Sequence, residues 1–235
     1  MIVRRPAEAR GFADHGWLVA RHSFSFANYY DPDEMGWGVL RVINEDRVAP
    51  GTGFGMHGHR DMEIVTYILD GALEHKDSLG NGGVIRRGEV QRMSAGKGIL
   101  HSEFNPSAEA ETHLLQIWIE PARRGTSASY EQQPLAVEAL QAGWRLVASP
   151  DGADGSTTIG QDARLWATQI AAGQARDIAL APGRLAYLHV VRGQLQLNGL
   201  TLRTGDGAKI ADETELHLSA AEASEVLLFD LPPAP

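Results

Sequence analysis

From Gly36 onward the chain runs through one short apolar or alternating segment after another: GVLRVI at 38–43, EIVTYIL at 63–69, ALEHKD at 72–77 and THLLQIWIE at 112–120. Segments of this length, rich in β-branched and aromatic residues and parted by turn residues, predict strands. Asp70-Gly71 and Leu79-Gly80-Asn81-Gly82-Gly83 supply two of the turns. No part of this half carries an apolar stripe with a 3.6-residue period, so an antiparallel barrel or sandwich follows. Ahead of it, His22, Phe24 and Phe26 alternate with Ser23 and Ser25, which predicts a half-buried strand ended by Asp31-Pro32. Its aromatics are expected against the barrel exterior, the alternative being a lid or wall over a site. Met56 and Met93 are expected in the core.

The pattern changes between 121 and 160, where PARRGTSASYEQQPLAVEA predicts a linker with one short helical turn near 135–141. The second half then repeats the first. VTYILDGALEH at 65–75 matches YLHVVRGQLQL at 187–197, placing Gly71 on Gly193. RRGEVQRMSA at 86–95 matches RTGDGAKIAD at 203–212, placing Gly88 on Gly205. Two matches in the same order point to a duplicated barrel. The expected fold is all-β, with two tandem double-stranded β-helix barrels. The expected division is a first domain over 1–125, a linker and first strand of the second lobe over 126–160, and a second domain over 161–235.

Composition narrows the function classes. Of 235 residues, 43% are hydrophobic, enough for a packed core, and the 26 glycines and 11 prolines suit a turn-rich fold. With no cysteine, thiolate ligands, disulfides and a cysteine nucleophile are excluded together. No apolar run approaches 18 residues and no export signal opens the chain, so a cytoplasmic protein is expected. A net charge of -9 argues against nucleic acid or an anionic membrane as partner. A monomer acting on a small molecule is the expectation.

The candidate chemistry lies between 51 and 105. His57 and His59 stand one residue apart, and His101 and Glu103 follow with the same spacing. On extended backbone each pair projects from one strand face, so four nitrogen and oxygen ligands can converge on one divalent cation. Glu63 shares the parity of His57 and His59 and rivals Glu103 as ligand or as general base. His75 and His113 are candidate pocket walls or hydrogen-bonded packing residues. Gly51, Gly53, Gly55 and Gly58, with Gly96 and Gly98 before His101, are expected to let backbone approach the ligands. In the second half the equivalent positions hold Ala179, Ala181, Leu185 and Leu218, and His189 and His217 have no partner at strand spacing. No second metal site is expected there.

Gly51, His57-x-His59, Glu63 and Gly71 resemble the first cupin motif, with Gly71 one residue later than usual; Gly98, His101 and Asn105 resemble the second. HSFSFANYYDP, HGHRDMEIVTYILDGALEHKDSLGN and MSAGKGILHSEFN resemble, more closely, the pirin family of bicupins. The resemblance implies metal ligands at His57, His59, His101 and Glu103, with Glu63 nearby and not coordinating. It implies Fe(II), with Zn, Ni, Mn, Cu or Co as other ions such a set accepts. Bacterial members resemble quercetin 2,3-dioxygenases, which implies cleavage of a flavonol with dioxygen to a depside and carbon monoxide. Glu103 or Glu63 would accept the proton. Two other readings stay open on the same ligands: a metal-dependent regulatory protein that binds a protein partner, and an enzyme for another phenolic or enolisable compound.

Overall fold

The computed structural model describes residues 1–233 and consists of four sheets arranged as two lobes. The first lobe pairs a seven-stranded sheet with a four-stranded one. The larger runs Ser129–Pro134, Glu89–Ser94, Glu63–Asp70, Thr112–Ile119, Leu40–Val48, Leu18–His22, Gly11–Asp14; the smaller runs Gly53–His59, Ile99–Phe104, Ala72–Asp77, Gly82–Arg86. The second lobe repeats this plan. Its large sheet runs Ile2–Arg5, Gly207–Ile210, Leu185–Arg192, Ser224–Leu231, Arg164–Ile170, Arg145–Ser149, Thr157–Thr158. Its small sheet runs Ala175–Ala179, Glu215–Ala220, Gln194–Leu197, Leu200–Arg203. Each lobe is a jelly roll of two facing sheets, as the tandem repeat predicts. The turn glycines match too: Gly71 and Gly193 have φ of 78° and 92°, Gly88 and Gly205 of 85° and 81°.

Strand parity decides what each face meets. In the first lobe's large sheet Ile43, Val65, Tyr67, Leu69, Leu115, Ile117 and Ile119 face the second lobe. There they share one buried cluster with Leu165, Ala167, Tyr187, Val191, Leu227, Phe229 and Leu231. The opposite faces line the interiors of the two jelly rolls. The second interior is filled by an unbroken apolar cluster that includes Leu188, Leu195, Leu202, Leu216, Leu218 and Leu228. In the first, the apolar clusters are small and separate, and a cavity of about 630 Å³ remains among them.

The lobes exchange edge strands, which the expected division missed. Ile2–Arg5 pairs with Gly207–Ile210 in the second lobe, and Ser129–Pro134, expected as linker, pairs with Glu89–Ser94 in the first. The two occupy equivalent edges, each covering hydrogen-bonding groups that would otherwise be open. The short helix is Val137–Ala142, and the second lobe's own strands begin at Arg145–Ser149. The final residues of the expected second domain, 234 and 235, lie outside the described residues.

The aromatic run at 22–26 is not a strand. Leu18–His22 ends at its first member, after which the chain turns, so alternation no longer sorts the side chains. Phe24 is fully buried between the lobes, with its ring 5.3 Å from that of Tyr187. His22 and Phe26 line the cavity. The wall reading therefore holds for these two, and the exterior-packing reading holds for Phe24. Met93 is core, but Met56 is 59% exposed, because the sheet face opposite His57 looks to solvent.

Candidate metal centre

Gly53–His59 and Ile99–Phe104 are antiparallel neighbours in the small sheet, with His57 directly opposite His101. Alternation turns His57 and His59 inward and leaves Met56 and Gly58 outside; on the partner strand it buries His101 and Glu103 and exposes Leu100 and Phe104. Close pairing needs Gly53: a Cβ there would lie 2.2 Å from the Glu103 carbonyl oxygen. Gly55 meets nothing within 4 Å, so the expected crowding does not hold at every glycine of the run.

One nitrogen from each of His57, His59 and His101 lies within 4.8 Å of the other two. The Nε2 atoms of His57 and His101 are 3.1 Å apart. His57 Nδ1 sits 2.8 Å from the Gly55 carbonyl, a contact that requires a proton on Nδ1 and leaves Nε2 with its lone pair toward the centre. Burial, then the neighbouring imidazoles, push His101 down to about 3; burial and His57 push His59 down to about 4. Both rings are neutral at physiological pH, the form that binds a cation. Three converging imidazole lone pairs fit a borderline divalent ion.

Glu103 belongs to a second grouping, with His101 and His75, whose ligand atoms also lie within 4.8 Å of one another. Its carboxylate accepts from Gln91 Nε2 at 3.3 Å and Gln116 Nε2 at 2.9 Å, while Thr66 donates to Gln116 Oε1 at 2.8 Å. This amide network fixes the carboxylate beside the histidines. Burial pushes Glu103 up to about 7, against the pull of those donors. A cation at the centre would draw it back down.

Glu63 is not brought to this group. The parity argument assumed one continuous strand from His57, but the chain turns at 60–62, with Asp61 at φ 48°, before Glu63–Asp70 begins in the other sheet. Glu63 then has the parity of Val65 and Tyr67. It accepts from Ser94 Oγ at 2.6 Å, and a Cβ on Gly160 would lie 3.1 Å from its Oε1.

The two other histidines of the segment separate. His75 is fully buried behind His101, 3.1 Å from the Asp77 carboxylate and stacked on Tyr130 at 4.6 Å. His113 is held 2.9 Å from Glu45 and packs away from the centre.

The cavity opens onto the histidines. Trp17, Phe26, Phe54 and Trp118 wall it, with Trp118 edge-on to the His59 ring at 5.0 Å. Its polar lining includes Asn44, Asp46, Glu103, Gln116 and His22. Asn44 and Asp46 were missed in the sequence because the strand was ended at residue 43; it continues to Val48, and their shared even parity points both inward.

Residues 3–119 match the Pirin family model, and residues 146–231 match the model of the quercetinase C-terminal cupin domain. The chain is 48% identical over 233 residues to the quercetin 2,3-dioxygenase of Escherichia coli strain K12, covering 99% of this chain and all of that one. It is 45% identical over 232 residues to a pirin-like protein of Caulobacter vibrioides, covering 98% and 99%. The crystal structure of the bacterial pirin YhhW from Escherichia coli in complex with nickel(II) superposes with a TM-score of 0.95 at 48% identity, covering 99% and 100% of the two chains. The chain belongs to the pirin family.

Within this pirin the duplication kept the fold and lost the chemistry. Ala179 ends the strand equivalent to Gly53–His59, Ala181 lies beyond it, and Leu218 fills the second interior where His101 stands in the first. His189 is buried at 1% exposure, and His217 pairs with Asp177 on the surface. Among the described residues, groupings able to hold a metal occur only in the first lobe. Among the described residues no helix is long and apolar enough to cross a membrane.

Proposed function

We propose that this pirin is a metal-dependent dioxygenase that cleaves a flavonol such as quercetin with dioxygen, giving a depside and carbon monoxide. The carrying observation is an aromatic-walled cavity of about 630 Å³ that ends on three converging histidines. That volume falls in the range of about 300–1,000 Å³ usual for small-molecule sites. The full-length similarity to a protein named quercetin 2,3-dioxygenase supports the same reading.

His57, His59 and His101 would hold the ion, with Glu103 as the fourth protein ligand. Fe(II) is the ion we assign, and the nickel(II) complex of the Escherichia coli relative supports a site tolerant of other divalent metals. A bound ion would acidify the flavonol 3-hydroxyl and bring an electron-rich substrate beside dioxygen. Glu103 would accept the hydroxyl proton, while Gln91 and Gln116 hold its carboxylate in place. Phe26, Phe54 and Trp118 take the flat rings and keep water from them. Glu63, turned toward the second lobe, has no part in the step.

The test is anaerobic reconstitution with Fe(II), Ni(II) and other divalent ions, followed by quercetin loss, dioxygen uptake and carbon monoxide release. Metal-dependent loss with one carbon monoxide per quercetin supports the reading. Stoichiometric metal without turnover overturns it in favour of another small molecule.

A further inference from the structure

Leu40–Val48 runs along the wall of the cavity, and its even positions face inward, placing Asn44 and Asp46 side by side on the lining. Most polar groups there have partners. Asn44 Oδ1 lies 2.8 Å from His22 Nδ1, Gln116 donates to Glu103, and Glu103 accepts from Gln91 as well. Asp46 differs from all of them. It is 6% exposed, and no described residue hydrogen-bonds its carboxyl group. Burial, followed by the carboxylates of Glu103 and Glu45, raises its pKa. With no partner in the protein and its side chain on the lining, its carboxyl group is left to bond with what the cavity holds.

The surroundings restrict that partner. Asp46 itself and Glu103, two carboxyl groups on the lining, disfavour an anion. A divalent ion on the nearby histidines disfavours a cationic ligand. Phe26, Phe54 and Trp118 favour flat rings. A neutral hydroxyl on an aromatic ring satisfies all three conditions.

We propose that Asp46 is a specificity-determining residue of this cavity, accepting a hydrogen bond from a ring hydroxyl of the bound phenol and so selecting polyhydroxylated rings. The proposal rests on reading the cavity as a flavonol site and adds what that reading leaves open, the basis of choice among phenols. A site built to bind a hydroxyl rejects the analogue lacking it, since the acceptor is then buried without a partner.

The experiment compares quercetin with 3-hydroxyflavone, which lacks the other ring hydroxyls. Binding to metal-loaded wild type, Asp46→Ala and Asp46→Asn is followed by quenching of tryptophan fluorescence, since Trp17 and Trp118 line the cavity. Wild type should prefer quercetin. In Asp46→Ala the ratio of the two affinities should fall roughly tenfold, and Asp46→Asn, whose amide oxygen still accepts, should keep part of it. Metal content, measured on every sample, should stay at the wild-type level. A ratio unchanged in Asp46→Ala, whether both affinities fall together or neither moves, overturns the proposal. Loss of metal from both variants overturns it too, because Asp46 then serves the metal group. Selective binding without quercetin cleavage leaves Asp46 as assigned and refutes the dioxygenase reading; failure of wild type to bind either flavonol refutes both.

Discussion

His57 and His101 face each other across a strand pair with their Nε2 atoms 3.1 Å apart. Since His57 carries its proton on Nδ1, against the Gly55 carbonyl, its Nε2 has only a lone pair to offer. In the metal-free protein His101 Nε2 donates to that lone pair, while His101 Nδ1 is buried without a partner. A metal would take the place of this proton, in an arrangement built on one strand register and not on loops.

Removing a ring from this arrangement should remove the metal. His59→Ala and His101→Ala are each expected to lower affinity by more than about 100-fold, beyond the 10–100-fold typical of losing a supporting contact. His217→Ala, on the exposed surface of the second lobe, should leave metal content unchanged. Elemental analysis after dialysis checks this. Equal metal in all three variants would remove the site assignment.

The buried carboxylate sets a pH dependence. In the metal-free protein Glu103 is held up at about 7, whereas His59 and His101 lie at about 4 and about 3 and are already neutral above pH 5. Below pH 7 a cation must displace the Glu103 proton, so affinity should rise with pH toward 7 by up to about tenfold per unit from this group. Glu103→Gln should release about one proton fewer on binding at pH 6. Calorimetry in buffers of different ionisation enthalpy measures it; the same proton count in both proteins would show that Glu103 is not a ligand.

The fold and most of the metal group were legible because both rest on a period of two. His-x-His and His-x-Glu turn inward on their strands as alternation requires, and Gly71 and Gly193 mark the duplicated turn. Parity fails wherever the chain changes sheet. The turn at 60–62 carries Glu63 onto the face of Val65, and the turn after His22 sends Phe24 to one side and Phe26 to the other. Asn44 and Asp46 were missed for another reason: four polar residues, Asn44 to Arg47, ended the apolar pattern, although the strand runs on because its inward face lines a cavity. The exchanged edge strands are set by pairing partners far away in sequence, and no local pattern in Ile2–Arg5 names Gly207–Ile210.

Two glycines in one strand should respond oppositely to alanine. At Gly53 the new Cβ would meet the Glu103 carbonyl oxygen at 2.2 Å and the Phe104 Cα at 2.5 Å, so the strands must part. Gly53→Ala is expected to cost about 1–3 kcal/mol and to weaken metal binding by moving Glu103. Gly55→Ala meets nothing within 4 Å and should be neutral or stabilise by up to about 1 kcal/mol through the unfolded chain. Denaturant midpoints with metal titrations separate the two, and similar losses in both would contradict the strand pairing.

Glu225 ties the lobes together. Its carboxylate, 4% exposed, accepts from Tyr67 Oη at 2.8 Å, Arg87 Nη2 at 3.0 Å and Gln169 Nε2 at 3.1 Å. Glu225→Ala leaves a buried phenol and a guanidinium without their acceptor and should cost on the order of 3 kcal/mol. Glu225→Gln keeps an acceptor and should lose less. Urea unfolding measures both, and an unchanged Glu225→Ala midpoint would mean the tie contributes nothing.

His189 should make the protein acid-sensitive independently of the metal. It is buried at 1% exposure, and burial, followed by Arg10, pushes it down to about 4, with Glu45 and Asp206 acting in the opposite direction. The folded state thus binds fewer protons than the unfolded chain between about 4 and about 6.5. The stability this provides is fully present above 6.5 and is lost as pH falls through 4, on the order of 3 kcal/mol. His189→Gln, which cannot take the proton, should show a smaller drop in urea midpoint between pH 7 and pH 4.5 than wild type. His59 and His101 titrate in the same direction, so the slope is reduced and not removed. A His189→Gln protein that kept the whole wild-type drop would place the acid sensitivity in the other groups whose pKa is lowered, among them His22, His59, His75 and His101.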